Sequence, residues 1–396
     1  MNSFTNELNR RLADLREQNL FRELRRVDSA QGSRIQIGGK FFLNFSSNDY
    51  LGLANHPTLK EAAIRAVEKF GAGAGASRLI CGSLVPFHEL EGTLAAFKKT
   101  ESALTFSTGY AAAVGTITAL VGKDDIIILD KLVHACIVDA AKLSGAKLRI
   151  FNHNDLNDLE DKLKWATTHA RHSSLATRHI LIVTESIFSM DGDAAPLREI
   201  AGLKEKYGAW LMVDEAHATG IIGKNGRGLA EELGVGNQIE IQMGTLGKAL
   251  GASGGYICGN RALIDFLVNR ARSFIFSTAP IPAAAATAAA GIQIAQSAEG
   301  EKLRAQLLQR ITEFRSALCA PHSTISAAII PLILGDENRA LDAATKLREQ
   351  NIFVPAIRYP TVARGAARLR VTLTAAHTAA DVTELVAALK KFAIEK

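Results

Sequence analysis

The sequence is short of the features that define several protein classes. Its 396 residues hold four cysteines, Cys81, Cys136, Cys258 and Cys319, with no C-x-x-C pairing, and ten histidines with no H-E-x-x-H arrangement. Disulfide scaffolding and a zinc site are both disfavoured. His169 and His172 in THARH could share a helix face as ligands, but no third ligand lies nearby and the stretch is strongly polar, so a solvated helix is the better reading. No stretch offers the roughly twenty uncharged apolar residues that span a bilayer. The opening MNSFTNELNRRLADLREQNLF is charged throughout and lacks the apolar centre of a secretory signal. No basic run is interleaved with aromatics, which speaks against nucleic acid as a partner. These absences predict a soluble, cytoplasmic protein with no membrane or nucleic-acid partner and no metal.

What is present bounds the answer from the other side. With 47% hydrophobic and 22% charged residues, the chain is too apolar for disorder and long enough for a large core plus a smaller domain. A net charge of +6 and a pI near 9.1 suit an anionic ligand. A phosphorylated cofactor, a carboxylate or an acidic carrier would account for the excess equally well.

Short apolar runs alternate with helical stretches. IIILD (126–130), KLRIF (147–151), ILIVT (180–184), AWLMVD (209–214), IEIQMG (239–244) and GYICG (255–259) read as buried strands. DLEDKLKWATTHA and PLREIAGLKEKYG between them read as helices, so the expected class is α/β with a mainly parallel sheet. PIPAAAATAAAGIQIAQ predicts a long, closely packing interdomain helix, and beyond it a smaller α+β unit. The boundary falls near 285 to 295. The expected division is an N-terminal segment 1–45 packing with the small domain, a large domain 46–285, and a small C-terminal domain 286–396.

GAGAGASRLICG (71–82) imitates a dinucleotide fingerprint through Gly71, Gly73 and Ala76. That fingerprint requires a strand running into it. Here TLKEAAIRAVEKF precedes it, with Leu59, Ala62, Ala63, Ala66, Val67 and Phe70 at helical spacing, so a nicotinamide cofactor is disfavoured.

The chemistry lies where strands end. WLMVDEAHATG places Asp214 and His217 after one strand, and IQMGTLGKALGASGGY places Thr245 and Lys248 after another. In open parallel sheets such residues converge on one crevice. Ser189 in TESIFSMDGD and His134 in DKLVHACIVDA also follow strands, and together these residues describe a pyridoxal phosphate (PLP) site. Lys248 can form a Schiff base with the cofactor aldehyde, for which it must shed its proton in a partly desolvated place. Asp214 would keep the pyridine nitrogen protonated, making the ring an electron sink. His217 suits the ring hydroxyl oxygen, and His134 suits the ring face, although a helix-start histidine would read the same way. The phosphate would sit where LTFSTGYAAAVGTITAL passes from strand to helix around Gly109 and Tyr110, with Thr245 adding a hydroxyl.

NFSSNDYLGLANHP, GAGAGASRLICG with FHELE after it, FSTGYAA, SIFSMDGDAAPL, VDEAHATG and GTLGKALGASGGY together resemble the α-oxoamine synthases, a family of fold-type-I PLP enzymes, over nearly the whole chain. The resemblance implies a large domain with a mainly parallel sheet, a smaller α+β domain and a homodimer. It places the cofactor on Lys248, with Asp214 at the pyridine nitrogen, contacts from Gly109, Tyr110, Ser189, His217 and Thr245, and stacking by His134. It further implies substrate contacts from Asn48 and Ser77, and Arg370, the second arginine of R-L-R, as the holder of the amino-acid carboxylate. Branches of the family differ in substrates. AIRYPTV is most similar to the branch that joins L-alanine to a pimeloyl thioester, on CoA or on an acyl carrier protein, in biotin biosynthesis; Arg22 and Thr361 match its substrate-contacting positions. Ala363, where that branch often has proline, departs from the pattern, and TLGKALGASGGY also resembles a ligase branch that uses glycine and acetyl-CoA. The implied reaction is a decarboxylative condensation in which either His134 or His217 could polarise the thioester oxygen.

Overall fold

A computed structural model describes residues 3–171, 179–318 and 327–394. His172 and Cys319 lie outside the described residues.

Near the N-terminus β1 (Arg34–Ile37) and β2 (Lys40–Asn44) form a hairpin. The main sheet then collects β3 (Ser102–Phe106), β4 (Ile126–Asp130), β5 (Lys147–Phe151), β6 (Ile180–Glu185), β7 (Trp210–Asp214), β8 (Ile241–Thr245) and β9 (Gly255–Gly259). Their spatial order is β3-β9-β8-β7-β6-β4-β5, with β9 antiparallel to both its neighbours and the other pairs parallel. The interior strands β4, β6 and β9 are buried at every residue, as continuous apolar runs covered by helices on both faces require. KLRIF, with exposed residues among buried ones, forms the edge. The strand expected over 239–244 starts two residues later, because Glu240 turns its carboxylate to the Leu211 amide and the Lys204 ammonium.

A helix, Pro57–Phe70, runs into the glycine-rich loop, and the loop is tied to the chain ahead of the alanine-rich helix by the Ser77–Thr278 bridge. The C-terminal part adds β10 (Ile329–Gly335), β11 (Ile352–Phe353), β12 (Ala356–Ile357) and β13 (Ala367–Thr372). β13 lies antiparallel between β10 and β12, while β11 pairs with β2 and so fastens the N-terminal hairpin to the C-terminal part.

Two apolar cores result. One surrounds the main sheet; the other joins Phe45, Tyr50 and Leu51 to the alanine-rich helix Pro282–Gln296 and the C-terminal strands. Small side chains let that helix pack closely. A Cβ on Gly291 would stand 2.2 Å from the Leu250 carbonyl oxygen, so no larger residue fits there without backbone movement.

Candidate active site

Four parallel strands deliver the site. β4 ends at Asp130, and His134 follows as the cap of the helix Ala135–Ser144. β6 ends at Glu185 and β7 at Asp214, which are register partners, so two carboxylates stand side by side. β8 ends at Thr245, and the turn after it presents Lys248. One cavity is lined by Gly109, Tyr110, His134, Asp214, His217, Thr245 and Lys248, all expected from sequence, and by Cys136, Glu185, Ala216 and Met243, which were not.

Burial sets the electrostatics. Desolvation pushes the Asp214 and Glu185 carboxyls up, and the charge of Asp214 pushes Glu185 further. Desolvation pulls the Lys248 ammonium down, against the two carboxylates that favour its charge. Lys248 is thereby brought nearer to the neutral amine that nucleophilic and basic chemistry needs. His217 is held well below the usual imidazole range by burial and by the Lys248 charge, so its ring is neutral. Its Nε2 lies 2.6 Å from Lys248 Nζ and its Nδ1 2.6 Å from the Tyr50 hydroxyl. Burial also lowers His134, whose Nδ1 accepts the Cys136 amide at 3.2 Å; the ring proton therefore sits on Nε2.

Around the cavity, Glu185 accepts the amides of His134 at 2.5 Å and Ser189 at 3.2 Å. Arg370, buried on β13, donates from Nε to the Ser189 carbonyl at 2.6 Å and from Nη2 to Asn48 Oδ1 at 3.2 Å. Asn48 Oδ1 also accepts the Tyr50 hydroxyl at 3.2 Å. Two residues before Arg370, on the same strand face, Arg368 grips Asp191 at 2.6 Å. A second tie lies below: His153 bonds Asp130 at 3.0 Å and Asp193 at 2.7 Å, stacked edge-on to Phe188. Burial opposes charge on His153, but the two carboxylates outweigh it and push the imidazole up to about 10.

The structure thus gathers Asn48, Ser189 and Arg370 into a network reaching His217 and Lys248. Neither these three nor Ser77, Arg22 or Thr361 are among the residues that line the cavity. Arg22 instead donates to Thr361 Oγ1 at 3.4 Å and to the Tyr359 carbonyl at 3.3 Å, while Ser77 stays in its bridge to Thr278. His153 and Tyr50 were not singled out from sequence. Glu185 carried a signal, since VTES ends its strand as WLMVD does.

These groups fit pyridoxal phosphate. A desolvated lysine amine would serve the aldehyde, a buried carboxylate would serve the pyridinium, and the helix Gly109–Leu120 begins at the cavity wall, where its first, intrahelically unpaired amides could receive the phosphate. Among the described residues no cluster could hold a metal ion, and no helix is long and apolar enough to cross a membrane.

A family model described as aminotransferase class I and II matches residues 41–389. The chain is therefore a PLP-dependent enzyme of that class, with the fold-type-I architecture of a large, mainly parallel sheet and a smaller C-terminal sheet. It is 46% identical over 387 residues to the 8-amino-7-oxononanoate synthase of Geobacter sulfurreducens, covering 97% of each chain. It is 48% identical over 381 residues to that of Geotalea daltonii, covering 96% of this chain and 95% of the other. Among solved structures, serine palmitoyltransferase from S. paucimobilis with PLP and myriocin bound superimposes with a TM-score of 0.90 at 28% identity, over 99% and 98% of the two chains. The 8-amino-7-oxononanoate synthase of Francisella tularensis gives 0.74 at 30% identity, over 89% of this chain and 98% of that one. Within its class the chain belongs to the 8-amino-7-oxononanoate synthase family; the glycine-using ligase branch is not favoured.

Proposed function

We propose that the chain condenses L-alanine with a pimeloyl thioester, releasing CO2 and the free thiol and forming 8-amino-7-oxononanoate for biotin biosynthesis. The observation that carries this reading is the Lys248 amine, lowered by burial to about 8 and held by His217 beside two buried carboxylates in one cavity, with the Arg370 charge close enough to act on it.

When bound, PLP supplies an aldehyde for amines and a ring that withdraws electrons from the amino-acid α-carbon. Lys248 would hold the cofactor aldehyde, and the same Nζ would take the α-proton of alanine. Asp214 would keep the pyridine nitrogen protonated, and its burial beside Lys248 would strengthen that interaction. The amides and hydroxyls around Gly109, Tyr110, Ser189 and Thr245 would hold the phosphate. Arg370, fixed by the Ser189 carbonyl and Asn48, orients the alanine carboxylate.

A new bond joins the α-carbon to the thioester carbonyl carbon, and the carbon–sulfur bond breaks, expelling a thiolate that takes a proton from solvent to become the free thiol. The carboxylate then leaves as CO2, and Lys248 returns its proton to the same carbon. Both nitrogens of His217 are engaged, whereas His134 carries its proton on Nε2, which no hydrogen bond from the described residues occupies. We assign His134 as the donor to the thioester oxygen. Arg22 and Thr361 bind the acyl part, Ser77 lines the entrance, and the enzyme works as a cytoplasmic homodimer with its large domain spanning 46–285.

The test crosses alanine or glycine with pimeloyl or acetyl thioesters and compares kcat/KM. Preference for alanine with pimeloyl is the expected result; preference for glycine with acetyl-CoA would overturn it. One methyl group is worth about 1 kcal/mol, so on packing alone glycine should retain roughly a fifth of the activity.

A further inference from the structure

Between the N-terminal segment and the C-terminal sheet lies a second cavity, of about 490 Å³, separate from the Lys248 cavity. Its wall carries Arg16, Arg22, Arg25, Arg348 and Arg358 against one carboxylate, Glu23. Some surface arginines elsewhere are ion-paired: Arg10 and Arg11 share Glu7, and Arg65 holds Glu61. None of the five cavity arginines forms an ion pair among the described residues. Arg16 lies over the Phe21 ring at 4.1 Å and Arg25 over Phe353 at 5.8 Å. Arg358 donates to the Asn19 and Phe21 carbonyls, and Arg348 to Thr345 Oγ1 at 3.2 Å.

The guanidiniums oppose one another. Burial and the charge of Arg348 lower Arg25, and burial and the charge of Arg22 lower Arg358; Glu23 and Glu337 relieve this only from a distance. Crowding like charges in a partly desolvated hollow costs free energy that an anion placed among them would recover.

We propose that this arginine-lined cavity binds a small anion bearing more than one phosphate. Planar guanidinium forks match phosphate oxygens two at a time, and several forks around one cavity suit several phosphates better than a single carboxylate. A concave hollow within the range of about 300–1,000 Å³ typical of small-molecule sites favours a compact ligand over a docked protein surface. Two sources share this chemistry: the nucleotide phosphates of a CoA thioester, and a free compound such as pyrophosphate. Assignment to the thioester rests on the function proposed above, in which a CoA thioester can be the acyl donor.

The experiment is calorimetric titration of the cofactor-loaded full chain with free coenzyme A and, separately, with pyrophosphate, at low and moderate salt. Saturable binding of at least one of them is expected, weakening with salt and falling tenfold or more in the double variant Arg25→Gln, Arg348→Gln. Unchanged cofactor absorbance reports that this variant is folded. If it does not fold, single Arg25→Lys and Arg348→Lys substitutions keep the charge, lose the fork, and should weaken binding several-fold. Absence of saturable binding to either compound, or undiminished affinity in the folded variants, overturns the proposal. Coenzyme A binding at least tenfold tighter than pyrophosphate, with a raised thioester KM and unchanged kcat in the double variant, identifies the thioester as the ligand. Equal affinities with an unchanged thioester KM identify a free phosphate compound. Failure of the wild-type enzyme to make product from alanine and pimeloyl-CoA would remove the proposed function and leave these isotherms as they are.

Discussion

The Tyr50 hydroxyl and His217 Nδ1 are 2.6 Å apart, inside the protein, with Lys248 on the other side of the imidazole. Tyr50 is fully buried, and desolvation pushes its hydroxyl up to about 12, so it remains protonated. When it donates to Asn48, His217 turns Nδ1–H toward it and leaves Nε2 to accept from a Lys248 ammonium. When it donates to His217, Nε2–H faces a neutral Lys248 amine. Tyr50→Phe removes this alternation and leaves a buried ring nitrogen without its partner. A loss of about 1–3 kcal/mol in unfolding free energy is expected, together with a shifted acid limb in the pH profile of kcat. An unchanged pH profile would show that Tyr50 only packs.

Lys248→Ala should abolish turnover while allowing some noncovalent cofactor retention. Wild-type protein should absorb in the visible and lose that band on borohydride treatment, and the variant should lack the band from the start. Near-normal activity in the variant would sink the assignment.

Asp214→Asn replaces the carboxylate that keeps the pyridine nitrogen protonated. Isotope exchange at the alanine α-carbon should fall far more than alanine binding, measured by spectral titration. Unaltered exchange would mean that Asp214 serves only the fold.

Arg370→Ala should raise the KM for alanine by an amount equivalent to about 2–3 kcal/mol, the scale of a hydrogen bond to a charged group. Because Arg370 also holds the Ser189 carbonyl and Asn48, cofactor affinity should weaken as well. Dialysis against cofactor-free buffer separates the two effects.

His153 makes stability depend on pH. Its imidazole is raised in the folded protein to about 10 from an unfolded value near 6.5. The folded state therefore binds more protons between these values, and stability falls as pH rises through them. The contribution is present in full below the unfolded value and amounts to, at most, a few kcal/mol. Chemical denaturation from pH 6 to 10 should show wild type losing its advantage over His153→Gln as pH rises. A constant difference would mean that His153 is not charged between Asp130 and Asp193.

The expected strands, and the convergence of Asp214, His217, Lys248 and His134, were legible because parallel strands announce themselves as apolar runs and release their polar residues at one edge. Glu185 was overlooked because a carboxylate at a strand end has several ordinary uses; only its register with Asp214 reveals a pair. Tyr50 and His153 act through partners remote in sequence. The pairing of Arg22 with Thr361, 339 residues apart, depends on how β11 seats against β2, which no local pattern encodes. The second core takes residues from both ends of the chain, an association that no single stretch encodes.

The contact of Gly291 with Leu250 makes the alanine-rich helix a gauge for the catalytic amine. Leu250 is two residues from Lys248, and the Gly251 amide returns to the Lys248 carbonyl, so the turn behaves as one stiff piece. A single methyl added at Gly291 would displace that piece as a whole, and the position of Nζ over the cofactor would move with it. Composition bias in this helix is thus a dimensional tolerance: its alanines and glycine hold a length that larger side chains would change, and mutational drift there should register first as altered cofactor spectra rather than as unfolding.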